Sequence, residues 1–268
     1  MADAIGVVPT HDRDEAVRQL YEHGVCVLAS VLPAAEVGAL REAAVSTAKQ
    51  HDQGVADPTW HVPGIFSIDA EWPTQRFVEH VAGPRVLAVL DEVFATAPGD
   101  YRVHSSTVQV NKPFCSQEAW HIDSWISQRG YCPAPHAHIR RTGYVNALWM
   151  LSVRSHSPPL SLCGGLSLRR LLPPGIFLSV QAQPPAVAQD WTTANGGTWV
   201  LSGTHALAEE EQPSLPLTDK PVRREMKRPK PAWEREPHPQ ALHVTGSAGD
   251  VCLMDCRLWV SRCSLALA

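Results

Sequence analysis

The first hundred residues carry apolar side chains at helical spacing. Over residues 12–23 they recur every three to four positions, and Gly24 follows as an expected helix end. Four apolar residues at 25–28 then predict a short buried strand, and Pro33 opens a second helix. A third helical stretch is predicted over about residues 74–96. The pattern therefore predicts a largely helical part over residues 1–100.

From residue 101 the pattern changes to alternation between apolar and polar positions. Residues 102–110 alternate in this way, and further strands are predicted at 144–151, 197–202 and 251–255. Helices followed by strands are typical of an α+β chain whose second half is a β-sandwich or barrel. We expect one domain over residues 1–268, with the barrel at 101–259.

Two segments show neither the spacing of apolar residues typical of a helix nor the alternation typical of a strand. Residues 153–189 hold three Pro-Pro pairs, seven leucines and no acidic residue, which is unusual inside a compact domain. Residues 260–268 follow a well-patterned strand without continuing any pattern. We expect the first to be an insertion and the second to be a non-native end.

Composition narrows the class of protein. With 44% hydrophobic residues the chain can bury a core, and its net charge of −4 gives no case for a nucleic-acid partner. No apolar run reaches the roughly 18 residues of a membrane span. The acidic N-terminal segment is unlike a targeting signal, and seven cysteines without a CxxC pair suit a reducing compartment. An intracellular, by default cytoplasmic, location is expected, with a peroxisomal one still open.

The strongest local signal for chemistry is the segment Trp-His-Ile-Asp-Ser-Trp at 120–125. In an extended chain His121 and Asp123 point to the same face. An imidazole and a carboxylate placed in this way can hold two positions of a divalent metal, and non-haem iron oxygenases add one more histidine. An isolated pair of this kind is also common at an ordinary polar strand end.

Three further blocks give the pair a context. They are EHGVCVL at 22–28, NGGTWVLSGTH at 195–205 and GDVCLMDCRLW at 249–259. In this order, together with His121 and Asp123, they resemble the phytanoyl-CoA dioxygenase family of Fe(II)/2-oxoglutarate-dependent oxygenases. The resemblance covers most of the chain outside the two segments that lack a period.

The resemblance implies a double-stranded β-helix, a jelly-roll barrel with the N-terminal helices packed outside it. It implies His121 and Asp123 as iron ligands at the catalytic centre, with Fe(II), 2-oxoglutarate, O₂ and an ascorbate-type reductant, and hydroxylation of a small apolar substrate. Gln109 and Asn146 are expected to contact 2-oxoglutarate, and Trp149 to line the pocket. Each of these three residues also suits a packed position in the barrel.

The chain departs from that family at its third metal ligand. A histidine is expected where Val260 stands, and Arg262 is too close to replace the arginine that binds 2-oxoglutarate. We hypothesise that residues 153–189 and 260–268 are translated intron, and we expect little turnover from the chain as written. The alternatives are a natural low-complexity insertion with a divergent end, and an inactive family member that acts as a binding or partner subunit.

Other histidines offer weaker candidates. His205 is expected to be structural. His136 and His138 form a short pair that suits a solvated loop better than a second metal site. His238 or His243 could in principle replace the missing ligand, although nothing in the sequence favours it. A zinc hydrolase built on the same pair lacks any HExxH-like signature.

Overall fold

The computed structural model describes residues 7–50, 59–63, 80, 83–94, 103–111, 120–123, 145–151, 161–169, 175–182, 198–207 and 238–262. The predicted helix start near residue 74, the pair His136 and His138, and the Gly-Gly turn at 196–197 lie outside these residues. No helix in the described part of the chain has both the length and the apolar character to cross a membrane.

In the part of the chain that the structure describes, three helices precede the long strand at 103–111. They are α1 (Arg13–His23), α2 (Ala34–Gln50) and α3 (Pro84–Phe94). The side chain of Asp12 caps α1 by accepting a hydrogen bond from the backbone N–H of Glu15 at 2.8 Å. Gly24 ends the same helix with φ 76°, a left-handed conformation that favours glycine.

The strands pair into two sheets. The described strands are β1 (Val25–Leu28), β2 (Thr59–Pro63), β3 (Val103–Asn111), β4 (His121–Ile122), β5 (Val145–Leu151), β6 (Ser161–Arg169), β7 (Gly175–Ala182), β8 (Thr198–Leu201), β9 (Leu242–His243), β10 (Val251–Asp255) and β11 (Trp259–Arg262). Among these, one sheet has the order β1-β10-β5-β6-β7-β3-β2 and the other β4-β11-β8-β9. All pairings are antiparallel except those of β7 with β3 and with β5.

Apolar side chains form a layer on each side of β5, because successive residues of a strand face opposite ways. Trp149 and Leu151 pack with Leu20 of α1 and Leu90 of α3, in a layer that we call the outer core. Residues from both sheets form the other layer, which we call the inner core: Val25, Val27, Leu148, Met150, Val200, Val244, Cys252, Met254, Leu258 and Val260. The inner core lies between the two sheets, and the helices cover the far side of the larger one.

The segment 153–189 corrects one expectation from the pattern. Its described residues form β6 and β7, which stand between β5 and β3 in the larger sheet. In β6, serine and leucine do alternate, but Gly164 and Gly165 interrupt the alternation and so hide the strand period. Whether this segment is an insertion stays a prediction.

The residues that precede β10 fasten the N-terminal part to the larger sheet. The buried carboxylate of Asp250 accepts hydrogen bonds from the backbone N–H groups of Ser30 and Ser247, each at 2.7 Å. The carbonyl oxygen of Gly249 accepts two more, from the N–H groups of Val31 and Leu32, both at 2.9 Å. The Gly-Asp pair therefore holds the loop after β1 against the start of β10.

Candidate metal centre

His121 and Asp123 converge at the end of β4. His121 is its first residue, Asp123 follows its last, and the imidazole Nε2 lies 3.0 Å from the carboxylate Oδ1. Two neighbouring ligands of an octahedral metal, each about 2.1 Å from it, are themselves about 3.0 Å apart. Both side chains are partly exposed, at 29% and 31%. The contact is that of an ion pair between the two side chains, and its length also equals the spacing of two adjacent metal ligands.

Asn146 fixes the orientation of the Asp123 carboxylate. Asn146 lies on β5 in the opposite sheet and is buried. Its side-chain amide Nδ2 donates a hydrogen bond to Oδ2 of Asp123, the oxygen that does not face His121. A partner of this kind orients a ligand and sets its basicity. The residue expected to contact 2-oxoglutarate thus holds the carboxylate in place across the gap between the sheets.

The strand beside β4 supplies no third donor. β11 pairs antiparallel with β4, and the register places Val260 directly opposite His121. Residues paired in this way project from the same face of a sheet. Val260 is buried in the inner core, and its side chain has no lone pair to offer a metal. The position at which the family resemblance implies a histidine is therefore the direct cross-strand neighbour of His121.

The same face of the smaller sheet continues as an apolar row. Val260 pairs with Val200 of β8, and Val200 pairs with Leu242 of β9. Among the residues that the structure describes, no group of three or more His, Cys, Asp or Glu side chains is placed to hold a metal ion. One imidazole and one carboxylate do not make the three-ligand set of a non-haem iron site. The donors present therefore do not fit that site in full.

Trp149 does not extend the centre, and the role expected of Gln109 stays a prediction. Trp149 comes three residues after Asn146 on β5, so it faces the other way and is buried in the outer core against the helices. The expectation that it lines the same pocket is corrected by this placement. Gln109 lies on β3, opposite His61 of β2, and its side chain is outside the described atoms.

Neither His238 nor His243 replaces the third ligand. His243 pairs with Trp199, so it faces away from the row that contains Val260. Its ring centroid lies 4.8 Å from that of Trp199, and burial lowers the pKa of the imidazole to about 4. His238 packs edge-on against Trp120, which belongs to the apolar cluster on that same far face. The two histidines therefore lie on the side of the sheet opposite His121.

His205 is enclosed between the N-terminal helix and the smaller sheet. It lies in the 3₁₀ turn Thr204–Ala206 and is buried. Burial lowers the pKa of its imidazole, which the nearby carboxylate of Asp255 partly offsets. A Cβ atom at Gly24 would stand 2.6 Å from its Nδ1. The close fit supports the structural role expected from the sequence.

A buried ion pair that sequence reasoning did not single out forms the turn from β10 to β11. Asp255 is fully buried, and Arg257 Nη2 donates to its Oδ2 at 2.7 Å while the Arg257 backbone N–H donates to Oδ1 at 2.9 Å. Burial by itself raises the pKa of Asp255, but the Arg257 guanidinium outweighs it and holds that pKa below its ordinary value. The Asp-x-Arg spacing was the available signal. The turn sets the point at which β11 begins, at Trp259, one residue before Val260.

Comparison with known proteins gives a family-profile match over part of the chain and a shared fold. Residues 187–260 match the profile of the family described as Phytanoyl-CoA dioxygenase (PhyH). No curated protein sequence matches the chain. The non-haem α-ketoglutarate-dependent carbocyclase SnoK from nogalamycin biosynthesis is similar in structure, with a TM-score of 0.51, 18% identity, and coverage of 97% of this chain and 82% of that chain.

A second structural neighbour is the epimerase SnoN, solved in complex with Fe³⁺, α-ketoglutarate and nogalamycin RO. It has a TM-score of 0.54 and 15% identity, and the match covers 95% of this chain and 78% of that chain. At such identities the likeness shows a shared jelly-roll fold and leaves the reaction open.

Proposed function

We propose that the chain, whose residues 187–260 match the profile of the phytanoyl-CoA dioxygenase family, is built as an Fe(II)/2-oxoglutarate-dependent dioxygenase acting on a small apolar substrate. The barrel would be a double-stranded β-helix with α1, α2 and α3 outside it. The observation that carries the proposal is the meeting of His121 and Asp123, 3.0 Å apart, beside the inner core. Bound iron would supply the oxidising chemistry at that point.

Two features of the chain's own residues support this use of the pair. Asn146 holds one oxygen of Asp123, which leaves the other directed at the point that His121 also faces. The row formed by Val260, Val200 and Leu242 is apolar, which suits a substrate of the same character and keeps water from that side. With two protein donors instead of three, we expect weak metal binding and little or no turnover from the chain as written.

Metal titration tests the proposal directly. We expect Co(II), used as an oxygen-stable probe for Fe(II), to bind the purified chain weakly, and His121→Ala and Asp123→Ala each to weaken it at least about 10-fold. His238→Ala, which removes a histidine from the opposite face of the sheet, serves as the matched control and should bind as the unaltered chain does. Isothermal titration calorimetry measures all four. Equal affinities across the series would contradict the assignment of the pair.

One observation favours a second function, that of a non-catalytic binding or partner subunit. A valine opposite His121 is compatible with an intact barrel, but it offers no metal ligand at that position. The two functions differ in iron-dependent formation of succinate from 2-oxoglutarate. A dioxygenase forms succinate above the background of His121→Ala, whereas a binding subunit does not and yet is stabilised by an apolar ligand in the absence of metal.

We also propose that residues 153–189 are an insertion in this barrel. The support is the three Pro-Pro pairs and the absence of acidic residues within the segment, and the pattern that resumes beyond residue 189. Transcripts sequenced across this region are expected to join the codon of residue 152 directly to that of residue 190. Transcripts that run through the whole segment at full abundance would contradict the intron hypothesis and leave a natural insertion.

A further inference from the structure

We infer that position 260 decides whether this barrel holds a divalent metal, and that Val260 leaves His121 and Asp123 as a two-donor site within the described part of the chain. The inference rests on the proposed function, because it assumes that the pair faces a metal. Beyond that proposal, it assigns the affinity for a divalent metal to Val260, a residue that is not itself a ligand. The observation behind it is the register of β4 and β11, which places Val260 opposite His121.

The register restricts where a third donor can enter. Directly opposite residues of an antiparallel pair have Cβ atoms about 4.5–5.5 Å apart and share a face. A donor at 260 therefore starts beside His121 and on the side from which Nε2 of His121 and Oδ1 of Asp123 already converge. Three donors from one face of two adjacent strands form the facial arrangement of a 2-His-1-carboxylate site.

The neighbouring position in the row cannot do the same. Val200 is also a buried valine of the inner core, on the same face and directly paired with Val260. Val200 lies on β8, which is separated from β4 by β11, so it is two strand spacings, or roughly 9.6 Å, from β4. A histidine at 200 carries the same burial cost as one at 260 but cannot reach the point between His121 and Asp123. The two valines are a matched pair for separating metal ligation from the effect of a buried imidazole.

The experiment compares the full chain with Val260→His and Val200→His in Co(II) titrations, using the metal alone as the probe. We expect Val260→His to bind about 100-fold more tightly than the unaltered chain, because a third protein ligand is added, and Val200→His to show no gain. The absorption spectrum of the bound Co(II) and a metal-dependent rise in Tm give readouts that do not require turnover. Asp123→Ala in the Val260→His background should abolish the gain.

Val260→Cys keeps the inference testable if a buried imidazole prevents folding. Cysteine is close to valine in volume and its thiolate is a strong ligand, so this variant should also bind Co(II) more tightly and show a sulfur-to-metal absorption band. The inference is overturned if neither variant exceeds Val200→His, or if the unaltered chain already binds as tightly as Val260→His.

Failure of the inference is distinguishable from failure of the proposed function. Suppose that His121→Ala binds Co(II) as well as the unaltered chain does, and that the double variant His121→Ala/Val260→His binds Co(II) as well as Val260→His does. The pair is then not a metal site, and the proposed function fails. If His121→Ala weakens binding but Val260→His gives no gain over Val200→His, the pair stands and only the role of position 260 is wrong.

Discussion

Asp255→Ala is expected to lower the free energy of unfolding by about 3–5 kcal/mol, because it removes one partner of a buried ion pair. Asp255 is fully buried and Arg257 donates to it through both its side chain and its backbone N–H. The substitution removes the Asp255 carboxylate as an acceptor for the guanidinium, and it releases the turn from which β11 begins. Urea unfolding at pH 7 measures the loss.

The pH dependence of the same variant has a definite sign. The pKa of Asp255 lies below its ordinary value in the folded chain. A group with a lowered pKa stabilises the fold above its unfolded pKa, about 3.9 for aspartate, and that stabilisation disappears as the pH falls through the folded value. The difference between Asp255→Ala and the unaltered chain should therefore be full at pH 7 and shrink below about pH 4.

Asp14→Ala is the control for Asp255→Ala. The Asp14 side chain is 86% exposed, and its ion pair with Arg13 lies at the surface. Such pairs contribute little, so a change of less than about 0.5 kcal/mol is expected. A loss at Asp255 no larger than the one at Asp14 would show that the buried pair does not stabilise the fold.

Asp250→Ala is expected to cost about 3 kcal/mol, since two backbone N–H groups lose a charged acceptor. Those groups belong to Ser30 and Ser247, which lie in different segments of the chain. Asp250→Asn keeps one acceptor oxygen and the same shape, so about half the loss is expected from it. Chemical denaturation of the three proteins at pH 7 supplies the comparison, and equal stability of all three would refute the role given to this carboxylate.

The sequence predicted much of the fold because its strongest signals are local. Strands at 144–151, 197–202 and 251–255 were predicted from period and turn residues, and the structure has β5, β8 and β10 within one residue of those bounds. The period of two also placed His121 and Asp123 on one side of the chain, and their 3.0 Å separation agrees with it. These features depend on neighbours within a few residues.

The remaining features depend on contacts between segments far apart in the chain. The bond from Asn146 to Asp123 joins two sheets, and no period in either strand indicates which residue stands across the gap. The sequence left two positions open for Trp149, because an aromatic residue suits either face of a strand that is buried on both. The strand β6 was missed because two glycines interrupt its alternation.

The hydrogen bond from Asn146 to Asp123 has a consequence for how this barrel responds to its contents. Its donor belongs to one sheet and its acceptor follows a strand of the other, so the bond is sensitive to the width of the space between them. A ligand that increases the distance between the sheets would lengthen this hydrogen bond and reorient the Asp123 carboxylate. The orientation of the Asp123 carboxylate therefore depends on the distance between the two sheets.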